Sequence, residues 1–161
     1  MNKAGAAIGS LVFLVLTPGF VVGVVPWWIS RWHMEAAAVP VRLAGVVLIA
    51  LGIAGLLDSF ARFALQGLGT PAPVAPTEHL VVSGLYRNVR NPMYCAVAAA
   101  ILGQGLLFGN WKVLVYGAAV WLLFHLFVVI YEEPVLRRKY GAKYEEFCRE
   151  VPRWIPRIRR G

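Results

Sequence analysis

The chain has 161 residues, of which 59% are hydrophobic and 15% charged, and it carries a formal net charge of +8. That apolar content exceeds what a soluble domain of this length holds, so the composition excludes an ordinary water-soluble enzyme and points to the membrane. The basic excess sits in a short tail rather than in a soluble basic domain, so no nucleic-acid partner is expected.

Taken in order, Ile8 to Ile29 is a run of 22 residues without a charge, roughly 33 Å as a helix, enough to cross a bilayer. Ala36-Ala37-Ala38 follows it in the manner of a cleavage site. The apolar run is longer than a signal h-region and only Lys3 precedes it, so it is read as a retained helix. Val39 to Leu65 is the second candidate, with Arg42 near one end and Asp58 and Arg62, four apart, near the other. A loop from about Gln66 to Asn91 follows, with Pro71, Pro73 and Pro76 in its first half. Its aliphatic second half predicts an ordered segment folded against the helices. Pro92 to Phe108 and Val113 to Tyr131 form a third and a fourth helix, joined by Gly109-Asn110-Trp111-Lys112.

The tail has a different period. Leu136, Tyr140, Tyr144, Phe147 and Val151 recur every three or four residues among charged positions, which predicts one amphipathic helix lying at the membrane interface. Pro152 and Pro156 end it. From Pro134 onward nine Lys/Arg face three Glu, so this tail is expected to touch anionic lipid headgroups and to lie in the cytoplasm together with the N-terminus. The fold class expected is an all-α membrane protein, with four transmembrane helices plus a C-terminal interfacial amphipathic helix in a single integral membrane domain. Cys95 and Cys148 have no disulfide or metal spacing, and no metal site is expected. The small residues from Ala96 to Gly105 form a face that packs either within one chain or between chains, which leaves the oligomeric state open.

Two short polar sites interrupt the apolar half. The first is Arg90-Asn91-Pro92-Met93-Tyr94 and the second is Glu132-Glu133. Asn-Pro is a plain helix start, yet a helix start also offers free N–H groups and positive potential to a carboxylate, and Arg90 adds a formal charge. Glu132 and Glu133 are adjacent like charges at the end of an apolar run, an arrangement a bound cation relieves. Facing each other across a helical hairpin, the sites form a cavity with an anion-holding wall and a cation-holding wall, bracketed by Tyr86 and Tyr94. A zwitterionic ligand fits that pattern. His125 lies seven residues before Glu132, about two turns, and is expected to face the same way and to line an acceptor channel.

The spacing of Leu80-Val81-Val82-Ser83-Gly84-Leu85-Tyr86, Arg90-Asn91-Pro92-Met93-Tyr94, Glu132-Glu133, Tyr140-Gly141, Tyr144 and Val151-Pro152 resembles the integral membrane methyltransferases. This group contains the isoprenylcysteine carboxyl methyltransferases and the phospholipid methyltransferases. The resemblance covers roughly residues 78 to 156 and implies S-adenosyl-L-methionine as cofactor, bound under the cytoplasmic tail, and a lipophilic methyl acceptor entering from the bilayer. It implies a cofactor pocket of Glu78, His79, Leu80, Val81, Tyr86, Asn91, Pro92, Met93, Tyr94, Glu132 and Glu133. Apart from the resemblance, Arg90 by its charge and His125 by its place on the fourth helix are the candidate catalytic residues. Residues 1–65 would then supply two N-terminal helices, and 66–161 the cofactor loop, the hairpin and the basic tail. Two departures bear on the acceptor. The histidine of the family's R-H-P-x-Y pattern is Asn91 here, which hydrogen-bonds but carries no proton charge. The stretch His125-Leu126-Phe127-Val128-Val129-Ile130-Tyr131 lacks the arginine that prenylcysteine enzymes place before the acidic pair. A phospholipid amine headgroup, or a non-catalytic membrane protein that keeps the fold, are the alternatives.

Overall fold

The computed structural model describes residues 8, 9, 12, 15–62 and 80–157. Among these the chain is helical, with no strand. We label the helices α1 (Gly19–Ser30), α2 (Val39–Arg62), α3 (Pro92–Phe108), α4 (Trp111–Tyr140) and α5 (Ala142–Glu150). Two of them, α2 and α4, are long and apolar enough to cross a membrane; α1 and α3 are apolar but shorter. Residues 10, 11, 13 and 14 of the expected first span, and the stretch 63–79 with Glu78 and His79, lie outside the described residues.

The close contact of α2 with α3 organises the bundle. A Cβ on Gly103 would lie 2.7 Å from the Gly45 carbonyl oxygen, and one on Gly52 would lie 2.7 Å from the Ala96 carbonyl oxygen. Such backbone approach is how apolar helices gain packing where no hydrophobic driving force separates protein from lipid. The small-residue face of α3 is therefore used within the chain. Around it, Leu56 and Phe60 of α2 join Val97 and Ile101 of α3 and Val113 and Val120 of α4 in one core.

The far ends of α3 and α4 are fixed by polar contacts. Gly109 ends α3 at φ 68°, a left-handed position that glycine adopts freely. Asn110 then caps α4, accepting from the N–H groups of Lys112 and Val113. Its Nδ2 donates to Glu35 Oε1 at 2.6 Å, and the Glu35 N–H donates to the Phe108 carbonyl. Arg42 reaches the Leu107 and Glu35 carbonyls from the start of α2, so the loop before α2 is bound to the hairpin turn.

Helix α1 opens with a π-helical stretch, Gly19–Val24, just before Pro26. A proline has no N–H and cannot donate to the carbonyls four or five residues back, those of Val22 and Val21. Both are satisfied from the hairpin instead: Gln104 Nε2 donates to Val22 O at 2.7 Å and the Tyr116 hydroxyl to Val21 O at 2.9 Å.

At the other end of the molecule the structure departs from two sequence expectations. The fourth helix does not stop at Tyr131. It runs through a π-helical turn, Val128–Glu132, and continues past Pro134 to Tyr140. The wider turn absorbs the proline, whose ring would collide with a carbonyl of a regular α-helix. The tail, expected as one amphipathic helix, is divided between the end of α4 and the short helix α5. Gly141, at φ 54° and ψ −127°, breaks it in a conformation almost closed to other residues.

Gly103→Ala should destabilise the protein by about 1–3 kcal/mol, because the new methyl overlaps the backbone of α2. Gly23→Ala, which has nothing within 4 Å, should be neutral or stabilising. Thermal unfolding of both variants in detergent tests the contrast.

Candidate functional site

Loop 80–91 brings the first polar site to the bundle. Val81, Tyr86 and Val89 are buried, and a single 3-10 turn, Gly84–Arg87, turns the chain toward α3. Gly84 has φ 59°, and a side chain there would strike the Arg62 guanidinium. Arg62 in turn makes a two-pronged ion pair with Asp58, 2.8 Å on each arm, and donates to Ser83 Oγ. The ordered second half of the loop, anticipated from its aliphatic residues, is thus held to the end of α2. The Tyr86 hydroxyl is in hydrogen-bond contact with Ser59, and burial pushes its phenol well above the usual range, so it stays protonated.

The hairpin brings the two polar sites together. The Tyr94 hydroxyl donates to Glu132 Oε2 at 2.8 Å, and Arg90 Nη1 lies 3.1 Å from Glu133 Oε1. The adjacent carboxylates nevertheless have different surroundings. Glu133 is only 3% exposed and is flanked by three arginines from three segments. Arg90 comes from the loop, Arg137 from the next turn of α4 at 3.8 Å, and Arg153 from beyond α5. Arg153 takes both oxygens, Nε to Oε1 at 2.7 Å and Nη2 to Oε2 at 3.0 Å. That two-pronged geometry, with guanidinium and carboxylate planes matched, is the strong form of such a pair. The Glu133 carboxylate holds Arg153 firmly in its charged state. Glu132 has the lighter load, a single neutral donor.

The remaining predicted residues separate into groups. Asn91 is the residue before α3, but its side chain makes no capping hydrogen bond; its Nδ2 donates to the Arg153 carbonyl at 3.2 Å. The expectation of an Asn91 side-chain cap is thereby corrected: the amide is turned to the tail, and the first N–H groups of α3 receive no side-chain cap. Pro92 is buried, and Met93 packs against the apolar core. Leu80 is half-buried at the start of the described loop, and Glu78 and His79 lie outside the described residues. Arg90 is nine-tenths buried, and its Nε has no hydrogen-bond partner among the described residues.

His125 does not share the direction of Glu132. The residue that stands with Glu132 against Tyr94 is Phe124, eight residues earlier, with ring centroids 4.7 Å apart. The π-turn between them inserts the extra residue, so the two-turn arithmetic of a regular helix is off by one. His125 instead stacks on Trp121 and accepts from Trp154 Nε1 through Nδ1 at 3.0 Å, which leaves Nε2 as the ring's donor.

Arg153 and Trp154 escaped the sequence reading, which treated Val151 to Pro156 only as a helix terminator. The signal available was chemical: a carboxylate in an apolar helix needs counter-cations, and the tail is the densest source of them. Beyond Val151 the chain forms a strap against the loop. Arg90 N–H donates to the Pro152 carbonyl and Arg157 N–H to the Asn88 carbonyl, each at 2.9 Å.

Glu133→Ala should cost about 3–5 kcal/mol of stability, because it strands the buried Arg90. Glu132→Ala should cost less than half as much, having one neutral partner to lose. Thermal denaturation of the two variants in the same detergent checks the difference.

Comparison with known proteins bears on this geometry. The family model described as phospholipid methyltransferase matches residues 41–143, which takes in nearly all of α2 and the whole of α3 and α4. A Protein-S-isoprenylcysteine O-methyltransferase of Schizosaccharomyces pombe is 34% identical over 83 residues, 50% of this chain. The aligned part spans only 35% of that relative. With a family match over more than half its length and the polar residues of that match assembled at one end of the hairpin, the chain belongs to the phospholipid methyltransferase family.

Proposed function

We propose that the protein is an integral membrane methyltransferase that uses S-adenosyl-L-methionine and acts on a lipophilic acceptor. The observation that carries this reading is the Tyr94–Glu132 hydrogen bond of 2.8 Å beside the uncapped start of α3 and the unpartnered Nε of Arg90. A carboxylate with spare accepting capacity and a buried guanidinium nitrogen with none of its own partners suit the two charges of an amino-acid moiety. The residues present therefore fit the cofactor. When bound, it supplies a methyl group already activated on a sulfonium, so transfer needs no metal.

The chain's own residues then have distinct tasks. Glu132, held by Tyr94, receives the ammonium group. Arg90 and the first N–H groups of α3 receive the carboxylate. Tyr86 and Tyr94 supply neutral aromatic walls, a surface suited to a cationic sulfur. The protein's contribution to rate is alignment and the exclusion of water. His125, Trp121 and Trp154 stand on the bilayer side of this region and line the approach of the acceptor; His125 offers Nε2–H to orient it.

The membrane setting has support beyond composition. Leu51 on α2 is 62% exposed and Ile130 on α4 is 70% exposed, within long apolar faces that water would penalise and lipid tails would not. We propose four transmembrane helices, with α1 completing the first span, both termini in the cytoplasm, and the basic tail on anionic headgroups. The curated relative favours an isoprenylcysteine-type carboxyl acceptor. The family model favours a phospholipid amine headgroup, and the absence of arginine between His125 and Tyr131 agrees with it.

Calorimetry with S-adenosyl-L-methionine in detergent should show binding by the wild type and a loss of more than tenfold, about 1.4 kcal/mol, in Glu132→Ala. Absence of binding by the wild type removes the proposal. Lipid profiles of cells with and without the protein should then show which class of acceptor gains a methyl group.

A further inference from the structure

The arginine cluster around Glu133 gives that residue a task different from its neighbour's. Both of its oxygens are occupied by guanidinium groups, so an ammonium would have to displace an ion pair to reach it. The partner with the closest contact, Arg153, belongs to the strap that follows α5. This strap lies over the start of α3: it holds the Asn91 amide through the Arg153 carbonyl, and Asn91 is left 9% exposed. Its neighbour Trp154 reaches His125. One segment therefore covers the proposed carboxylate seat and also touches the proposed acceptor side.

We propose that the Glu133–Arg153 ion pair is a releasable clasp, which holds the 151–157 strap closed over the Asn91-Pro92 helix start and sets the rate at which cofactor enters and leaves. The inference rests on the methyltransferase reading for the identity of what passes beneath the strap. Glu133 and Arg153 are positioning residues here and touch no ligand.

Charge makes the clasp reversible. A buried carboxylate stripped of its only cation is prohibitive, and such a pair would not open. Glu133 keeps Arg90 and Arg137 when Arg153 departs, so opening leaves no orphaned charge. The two sides also differ in exposure. The Arg90 side chain is 10% exposed, whereas that of Arg153 is 33% exposed, so the released guanidinium passes directly into water. The rest of the strap is held by neutral hydrogen bonds, among them Arg90 N–H to Pro152 O, Arg157 N–H to Asn88 O, and Trp154 to His125. These define where the strap sits when closed, and the ion pair supplies the strongest hold.

The test compares Arg153→Gln, Arg153→Lys and Arg149→Gln in the full-length protein in detergent, using radiolabelled S-adenosyl-L-methionine. Arg149 is an exposed charge on the same tail with no part in the clasp. A weakened clasp speeds both directions: association and dissociation rates should each rise about tenfold in Arg153→Gln, with the equilibrium constant changing less than either rate. Arg153→Lys should recover part of the effect, since a point charge replaces the fork, and Arg149→Gln should match the wild type. Hydrogen exchange at 151–157 should accelerate in Arg153→Gln alone. A rise in dissociation rate without a rise in association would mean that Arg153 contacts the ligand directly, and would overturn the clasp. So would unchanged rates, or exchange that accelerates equally in Arg149→Gln. If the wild type binds no cofactor, the methyltransferase reading falls, and the exchange experiment alone still decides whether Arg153 holds the strap.

Discussion

A carboxylate that is almost wholly buried cannot exist alone, and the architecture at this end of the hairpin follows from how Glu133 is neutralised. The three arginines around it come from the loop before α3, from the next turn of α4, and from the strap beyond α5. Each drags its own segment toward the same point. The loop, the hairpin and the tail, besides their apolar contacts, meet at one charge that needs company. The bidentate Arg153 contact does more than balance charge, since its planar geometry fixes the direction from which the strap arrives.

The opposite end is held by a different logic. There the constraint is the backbone: every carbonyl in an apolar setting needs a donor. Pro26 removes one donor from α1, and Gln104 and Tyr116 provide replacements from two separate helices of the hairpin. Between these ends, α2 and α3 touch through glycine and alanine with no room for a side chain. The bundle is thus dry and tight in its middle and polar at both termini.

Much of this was legible in the sequence. The period and length of apolar runs marked α2 and gave α3 its ends, whereas the cap that Asn110 places on α4 was read only as part of a connecting turn. The pairing of Arg90-Asn91-Pro92-Met93-Tyr94 with Glu132-Glu133 followed from a spacing that only a hairpin closes. What stayed hidden was geometry that single residues set. The fourth helix read as ending at Tyr131, because the wider turn that carries it past Pro134 has no separate sequence mark. Gly141 read only as part of the Tyr140-Gly141 motif, though its backbone angles divide the tail. Asn91 read as a cap, and competition from the Arg153 carbonyl decided otherwise. The division of labour between Glu132 and Glu133 could not be read from adjacency, since it depends on partners about twenty and forty residues away.

The π-turn at Val128–Glu132 has a wider meaning. In a regular helix the directions of all side chains are locked to one another, so any change in how the upstream face is presented rotates the downstream face as well. One extra residue in the turn breaks that phase relation. The stretch bearing Trp121, Phe124 and His125 is thereby rotated by one residue's angle from the regular-helix phase of the stretch bearing Glu132 and Glu133. The apolar half of α4 thus presents its aromatic residues on a face of its own, while the charged half keeps its bearings on the arginines.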